Sequence, residues 1–299
     1  MEAHLADAGD AQRMERILAE AGVSAVYHAA AYKHVPLLEA NPLEAAANNV
    51  LTTAHCVEAA ERAGVERFVL VSTDKAVRPT SVMGASKRAA EQLIQSRAQG
   101  QSAMRLATVR FANVLDSSGS VLPLFREQIR HGGPVTVTHP EARRYFMTIP
   151  QAAALLLQAG ALAEGGEVFV LEPDDAVRIE DLARRLIALS GLRVRDTASP
   201  DGEIPIVYTG LREGEKLSEQ LLLGEQVSGT GYRRILRAWE PSQSQAVLAE
   251  GVQALEQAVA ERDGQRARAV LGDLVPEYRP SQGESPAKVR RLQVVEQAS

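Results

Sequence analysis

Residues 68–87, FVLVSTDKAVRPTSVMGASK, constrain the fold more than any other part of the sequence. The stretch begins with an apolar run over residues 68–71, typical of a strand buried on both faces of a parallel sheet. Small polar and charged residues follow over 72–75, at the carboxyl end of that strand, where open α/β sheets bind their ligands. Helical spacing over residues 85–95 places Lys87 about one turn into a helix that faces the strand end. The stretch therefore predicts a cleft lined by a hydroxyl, a carboxylate and two amines.

Strand-like and helix-like segments alternate with short links on either side of this stretch. The predicted strands are 24–31, 66–72 and 106–111, after a strand tail over 1–9, and the predicted helices are 10–21, 42–63, 85–95 and 121–131. This alternation predicts an α/β fold with a doubly wound, parallel, Rossmann-like sheet. Beyond residue 133 the pattern changes to short β segments among helices, including a short helix over 215–223, which predicts a smaller α/β lobe for the substrate.

These changes of pattern divide the chain into four predicted parts. They are a partial Rossmann domain over 1–133, a region that is mainly substrate-binding lobe over 134–240, C-terminal helices over 241–279, and a tail over 280–299. The tail is rich in Ser, Gln, Glu, Arg and Lys and has little to bury, so it is predicted to be disordered.

Composition narrows the classes of protein to which the chain can belong. Its formal net charge of -5 and isoelectric point near 5.8 provide no basic field for nucleic acid. The single cysteine, Cys56, has no partner for an internal disulfide, which predicts a reducing compartment and a cytoplasmic location. The longest apolar run, 149–163, is too short to span a membrane. No metal site is predicted.

One expected feature of a nucleotide-binding sheet is not found in the sequence. Such a sheet normally begins with a strand and a glycine-rich turn, whose amides and following helix hold a pyrophosphate. Gly9 and Gly22 stand alone, and neither lies between a strand and a helix. The chain is therefore expected to enter the fold at about its third strand.

Four motifs together carry a resemblance to a known family, and a fifth fits the same family. The four are HAAAYKHVPLLEANP (28–42), STDKAVRPTSVMGASK (72–87), FANVLDSSGSVLPLF (111–125) and RRYFMTIPQA (143–152), and the fifth is GLREGEKLSEQLL (210–222). The combination resembles the polysaccharide-biosynthesis branch of the extended short-chain dehydrogenase/reductases, and within it the nucleotide-sugar 4,6-dehydratases that act on UDP-N-acetylglucosamine. The resemblance covers roughly residues 7–232. At Met83 the sequence resembles the larger, membrane-associated members of the family, which have methionine in place of the usual catalytic tyrosine. An alternative prediction is therefore that the chain is the cytoplasmic domain of a membrane protein.

The resemblance implies NAD, or alternatively NADP, as a cofactor that takes hydride from C4 of the sugar and returns it to C6 after water is eliminated. It implies that Thr73 binds the C4 hydroxyl and that Lys87 holds the nicotinamide ribose. The thioether of Met83 cannot act as a base. The resemblance implies that proton transfer falls to Asp74 and Lys75, and we assign Asp74 as the acid at the C6 hydroxyl and Lys75 as the base at C5. A lysine base needs a lowered pKa and an aspartic acid donor a raised one.

The same resemblance implies two sets of binding residues. The implied cofactor-binding residues are Asp7, Ala29, Ala30, Ala31, Lys33, Asn49 and Lys87. The implied substrate-binding residues are Lys33, His34, Asn113, Arg144, Arg212 and Glu215. Small residues let a ligand approach the backbone, and arginines suit a diphosphate. Asn49 equally fits a buried structural amide.

Some residues depart from the family pattern and keep other functions open. Ala112 and Asp116 replace glycines, and Asp116 brings a negative charge near the expected diphosphate. The leading prediction is a UDP-N-acetylglucosamine 4,6-dehydratase for polysaccharide or glycan biosynthesis, paired as a homo-oligomer by resemblance. The alternatives are a truncated, non-catalytic protein that binds nucleotide sugars, and a 4-epimerase. Met83 and the Thr-Asp-Lys run favour elimination over epimerisation.

Overall fold

The computed structural model describes residues 2–100, 102–223 and 227–281. The described residues contain thirteen strands: β1 (Ala25–His28), β2 (Arg67–Thr73), β3 (Arg105–Phe111), β4 (Asn113–Val114), β5 (Val135–Val137), β6 (Arg143–Arg144), β7 (Phe146–Met147), β8 (Glu167–Leu171), β9 (Val177–Arg178), β10 (Val194–Arg195), β11 (Ile204–Tyr208), β12 (Val227–Gly229) and β13 (Ile235–Ala238). The predicted disordered tail lies outside the described residues from 282 onward.

Helices alternate with these strands. The described α-helices are α1 (Ala11–Glu20), α2 (Val35–Ala40), α3 (Pro42–Glu44), α4 (Thr52–Arg62), α5 (Val82–Gln99), α6 (Val121–Arg130), α7 (Ile149–Ala161), α8 (Ile179–Leu189), α9 (Gln245–Ala260) and α10 (Gly264–Leu274). A π-helix, Ala45–Leu51, joins α3 to α4, so the helix predicted over 42–63 is continuous. A 3₁₀ turn, Asp74–Ala76, follows β2 directly.

Six of the described strands form the central sheet, in the order β1-β2-β3-β8-β13-β12. The first four strands are parallel, whereas β13 and β12 join as antiparallel neighbours. This topology confirms the predicted parallel, Rossmann-like sheet. Its parallel strands all end at one edge, and that edge carries Thr73, Asp74 and Lys75, which were predicted for the site.

Strand β2 lies in the interior of the sheet. Phe68 and Leu70 pack into a cluster with residues of α4 and α5, whereas Val69 packs on the other face with Ala159 of α7. All three strand residues are fully buried. An apolar run without alternation is the pattern that a strand covered by helices on both faces requires.

A smaller layer lies beside the central sheet. Strands β10, β11 and β5 form a three-stranded parallel sheet that packs with α6 and α8 around Phe125, Ile187 and Ile204. The predicted lobe boundary at 134 stays a prediction, but this layer is not one continuous segment. Helix α6 precedes that boundary, and β8, β12 and β13 follow it although they belong to the central sheet.

The predicted C-terminal helices are α9 and α10, whose apolar residues pack together and against residues of α2, α5 and the π-helix. Beyond α10 the chain contacts two loops near the sheet edge. Arg279 N donates to Pro79 O, and Gly214 N donates to Ser281 O. The end of the described chain therefore joins the loop before α5 to the loop after β11.

Two predicted elements are wrong. Residues 2–6 have no regular structure, because no described strand pairs with them. The predicted helix over 215–223 is also absent from the described chain, since the carbonyls of Lys216 and Leu217 accept hydrogen bonds from Arg144 rather than from a following helical turn. No helix in the described ranges is long and apolar enough to cross a membrane.

Candidate active site

The carboxyl end of β2 carries a compact group of hydrogen-bonded side chains. Thr73 ends the strand, and its hydroxyl caps the 3₁₀ turn by accepting from Lys75 N at 3.3 Å. The same hydroxyl donates to Asp74 Oδ1 at 2.9 Å, and Lys75 Nζ donates to that oxygen at 3.0 Å. The turn therefore joins a hydroxyl, a carboxylate and an ammonium group.

Strand register places Asn113 beside this group. Thr73 pairs with Phe111 across β2 and β3, so the residues that follow both strands emerge side by side. Lys75 Nζ donates to Asn113 Oδ1 at 3.0 Å, and Asn113 Nδ2 donates to Tyr145 O at 3.2 Å. Lys75 is thus held between Asp74 and Asn113.

Helix α5 begins directly opposite the strand end. Ser81 caps it by accepting from Gly84 N at 3.0 Å. A Cβ atom on Gly84 would lie 2.4 Å from Lys75 O, so a glycine is needed for this approach. Met83 and Lys87 follow one turn apart, and Lys87 Nζ donates to Val71 O at 2.7 Å.

Two adjoining cavities meet at these residues. The first cavity has a volume of about 350 Å³, and its lining includes Ala29, Ala31, Tyr32, Lys33, His34, Thr73, Met83 and Lys87. The second cavity has a volume of about 300 Å³, and its lining includes Val35, Arg144, Phe146, Arg212, Glu215 and Glu219. Lys75, Asn113, Val114, Gly119 and Ser120 line both. Lys75 therefore lies where two ligands would meet.

Burial and charge act differently on the two lysines. Burial lowers the pKa of Lys87 to about 8, against a smaller opposing effect of Glu91. For Lys75, burial also lowers the pKa, but the charges of Asp74 and Glu219 outweigh it and hold the pKa above its usual value. The lowered pKa that a resting lysine base needs is therefore absent at Lys75, which is protonated in the free protein at neutral pH.

Asp74 has one uncommitted oxygen. The residue is fully buried, and its Oδ1 receives the hydrogen bonds from Thr73 and Lys75. Its Oδ2 is buried with no hydrogen-bond partner among the described residues. A buried carboxylate oxygen without a partner is costly unless it binds a proton or a ligand hydroxyl, so Asp74 has capacity for proton transfer.

Residues 1–240 match the profile of the polysaccharide biosynthesis protein family. The chain belongs to that family. This membership confirms the resemblance to the polysaccharide-biosynthesis branch of the extended short-chain dehydrogenase/reductases.

Several curated relatives share this part of the sequence. Over 218 residues the chain is 55% identical to the capsular polysaccharide biosynthesis protein CapD of Staphylococcus aureus. The alignment covers 73% of this chain and 35% of CapD. The chain is 50% identical to the probable polysaccharide biosynthesis protein EpsC of Bacillus subtilis, covering 75% of this chain and 36% of EpsC. A UDP-glucose 4-epimerase of Rickettsia rickettsii is 37% identical, covering 69% of this chain and 58% of that protein. The chain spans about a third of the length of the first two relatives.

Solved structures share the fold. Pen from Bacillus thuringiensis matches with a TM-score of 0.71 and 31% identity, covering 81% of this chain and 73% of Pen. DesIV from Streptomyces venezuelae, a dTDP-glucose 4,6-dehydratase solved with NAD bound, matches with a TM-score of 0.63 and 21% identity, covering 91% and 81%. The second likeness concerns the fold alone.

In this polysaccharide biosynthesis protein, the residues predicted for the cofactor are only partly brought together. Ala29, Ala31, Lys33 and Lys87 line the first cavity, and Ala30 is exposed outside its lining. Asn49 lies beneath the cavity, where its amide exchanges hydrogen bonds with the backbone of Tyr32 and donates to Ser86. Asp7 lies outside the lining, and its Oδ1 accepts from Gly9 N. The position of Asn49 fits the structural role that the sequence left open.

The residues predicted for the substrate lie around both cavities. Lys33 and His34 line the first, whereas Arg144, Arg212 and Glu215 line the second, with Asn113 between them. Arg144 Nη2 pairs with Glu215 Oε1 at 3.1 Å. This pair fixes the loop after β11 against β6.

The structure explains one departure from the family pattern. Asp116 has a φ of 61°, a left-handed conformation that glycine adopts freely and that aspartate tolerates. Its carboxylate pairs with Arg126 at 2.6 Å. The negative charge that Asp116 brings to the second cavity is therefore compensated by Arg126.

Sequence reasoning missed two charged residues of the site. Lys216 Nζ donates to Val77 O at 2.7 Å, and Glu219 lies 3.8 Å from Lys75 Nζ with only 3% of its side chain exposed. Both residues lie within the helix predicted over 215–223, and the sequence contains no signal that assigns them to the site. The buried, irregular path of this loop is the feature that changes their role.

Proposed function

We propose that this chain carries the active site of an NAD-dependent nucleotide-sugar 4,6-dehydratase, which removes water from UDP-N-acetylglucosamine and forms a 4-keto-6-deoxy sugar for polysaccharide biosynthesis. The observation that carries the proposal is the hydrogen-bonded group of Thr73, Asp74 and Lys75, in which Lys75 lines both cavities and Thr73 lines the first. The neighbouring Met83 cannot replace the acid and base that elimination requires. Proton transfer must therefore come from this group.

The donor groups of the first cavity fit the nicotinamide side of NAD. Lys87 uses one hydrogen-bond donor on Val71 O, so the ammonium form has two more for the hydroxyls of a ribose. Ala29 and Ala31 offer a floor without bulky side chains. NAD would supply the capacity to accept a hydride from C4 and return it to C6. The sequence contains no glycine-rich turn after a strand, so no residues are assigned to the pyrophosphate.

The second cavity fits the nucleotide part of the substrate. Arg144 is committed to Glu215 and to the carbonyls of the following loop. Within the described ranges the guanidinium of Arg212 has no hydrogen-bond or ion-pair partner, and it lines the same cavity. Arg212 is therefore the cation for the diphosphate, with Glu215 near a ribose hydroxyl and Asn113 near the sugar.

Acid and base can arise together from the ion pair. A proton moves from Lys75 Nζ to Asp74 Oδ1 along their 3.0 Å hydrogen bond, leaving a neutral amine and a carboxylic acid. When the sugar displaces water, the neutral pair becomes more stable relative to the ion pair, because desolvation raises the free energy of the charged groups. The Lys75 amine then takes the C5 proton, and Asp74 gives its proton to the departing C6 hydroxyl.

The test is incubation of the chain with UDP-N-acetylglucosamine and NAD⁺, followed by mass spectrometry of the nucleotide sugar. Loss of one water is expected in the wild type and in the exposed control Asp273→Asn, but not in Lys75→Ala or Asp74→Asn. Intact substrate in every sample would contradict the proposal.

A 4-epimerase is the second candidate, because a relative 37% identical is named UDP-glucose 4-epimerase. Epimerisation leaves the mass of the nucleotide sugar unchanged and inverts C4, which proton NMR of the recovered sugar detects. A protein that binds without turnover would give calorimetric binding of the substrate and an unchanged NMR spectrum.

A further inference from the structure

Lys75 has a second carboxylate beside it. Glu219 Oε1 lies 3.8 Å from Lys75 Nζ, compared with 3.0 Å for Asp74 Oδ1. Glu219 is brought there by a loop pinned to β6, since Arg143 N donates to Leu217 O and Arg144 Nη2 donates to Lys216 O. Glu219, which is 144 positions after Lys75 in the sequence, therefore interacts with the same ammonium group as Asp74.

The second oxygen of Glu219 is enclosed. Oε2 is buried and forms no hydrogen bond within the described residues, although Lys216 Nζ is 3.4 Å away. Lys216 is itself committed to Val77 O at 2.7 Å. The Glu219 carboxylate therefore lies within 4.0 Å of two ammonium groups, those of Lys75 and Lys216.

The charged groups that face Lys75 come from three elements. Asp74 faces it from the 3₁₀ turn, Glu219 from the loop after β11, and Arg144 from β6. The two carboxylates raise the pKa of Lys75, and Arg144 lowers it. Lys216 faces Glu219 from the same loop, and Asn113 contributes a neutral amide oxygen.

We propose that Glu219 is a positioning residue, the counter-ion that holds the Lys75 ammonium when Asp74 carries a proton. This inference rests on the proposed function. Once a proton has moved from Lys75 to Asp74, the pair is neutral, and Lys75 becomes charged again when it takes the C5 proton. Glu219 is then the remaining carboxylate within 4.0 Å of Lys75 Nζ in the described chain, so it stabilises the ammonium as the C5–H bond breaks.

The first test measures the proton affinity of Lys75 without turnover. Limiting acetic anhydride acetylates only neutral amines, and mass spectrometry of the Lys75 peptide gives the rate at pH 9. Removing an opposite charge within about 4 Å lowers a lysine pKa by roughly 1 to 3 pH units, so Glu219→Gln should be acetylated about ten-fold faster or more. The exposed Glu213→Gln, on the same loop, should match wild type.

A second variant separates charge from loosened packing. Lys216→Met removes the second ammonium group beside Glu219. The pKa of Lys75 should then rise, so acetylation of Lys75 should be slower than in wild type. Equal rates in wild type and Glu219→Gln overturn the proposal. Faster acetylation in both variants also overturns it, because general loosening exposes Lys75 whatever the charge.

Turnover provides an independent measurement. In Glu219→Gln, kcat for water loss should fall roughly ten- to hundred-fold with little change in KM, and Glu219→Asp should recover part of it. An unchanged kcat contradicts the counter-ion role. If wild type shows no water loss, the proposed dehydratase function fails, whereas the acetylation ratio still decides whether Glu219 holds the Lys75 charge.

Discussion

Replacing Glu91 with glutamine should destabilise the protein strongly and loosen the candidate site. Glu91 lies on α5 and is fully buried. Its Oε1 accepts from Ser72 Oγ at 2.6 Å and from Arg110 Nε at 2.8 Å. Its Oε2 accepts from Arg110 Nη2 at 2.5 Å and from Arg88 Nη1 at 3.2 Å. One carboxylate therefore compensates two buried arginines and fixes the residue before Thr73.

The size of the loss in unfolding free energy depends on the partners that Arg110 and Arg88 keep when Glu91 becomes glutamine. Arg110 keeps Glu240, and Arg88 keeps Glu240 and Glu277, but two guanidinium groups then share fewer negative charges in a site that water does not reach. The amide nitrogen of glutamine would also place a donor against a guanidinium donor. Breaking a buried pair by removing one partner costs about 3–5 kcal/mol, so the free energy of unfolding should fall by that amount.

Urea unfolding at pH 7 measures the loss. The matched control is Glu127→Gln, whose exposed carboxylate pairs with Arg130 at 2.5 Å and should contribute less than about 1 kcal/mol. The arginines hold the pKa of Glu91 below its ordinary value, against the opposing effect of burial. Its contribution is therefore complete above about pH 4.5 and is lost as pH falls through the folded-state pKa, so the two stability curves should converge in acid. A loss below about 1 kcal/mol at pH 7 would refute this reasoning.

The structure also predicts the direction in which stability changes for a buried lysine and for two glycines. Because burial lowers the pKa of Lys87 to about 8, the unfolded chain binds a proton between pH 8 and about 10.5 that the folded chain has released. The free energy of unfolding should therefore rise through this window by about 3 kcal/mol more in wild type than in Lys87→Met, and parallel urea-derived curves would contradict this. Gly84→Ala should destabilise by about 1–3 kcal/mol, because its Cβ would lie 2.4 Å from Lys75 O, whereas Gly272→Ala, in open space on α10, should stabilise by about 0.5–1 kcal/mol. Thermal melting of the two glycine variants checks these opposite signs, and equal shifts would contradict them.

Much of the architecture was predictable because its signals are local. The apolar run over 68–71 predicts a doubly covered strand, and β2 has that environment. Alternating strands and helices predict the parallel sheet, whose first four strands are parallel. The helix over 215–223 was wrong for a non-local reason, since Arg144 binds the carbonyls that a helix would use. The antiparallel strands β12 (VSG) and β13 (ILRA) were missed, because neither is a continuous apolar run.

Within the site, the sequence by itself determined which chemical groups follow β2, since Thr73, Asp74 and Lys75 are consecutive and strands of a parallel sheet present their carboxyl ends at one edge. Only the tertiary structure decided the charge state of that group. The pKa of Lys75 depends on Asp74, Glu219 and Arg144 together, and two of these come from distant segments. The physical reason is that secondary structure follows from short-range periodicity, whereas burial and electrostatic interactions depend on distances in space, which the order of residues does not contain.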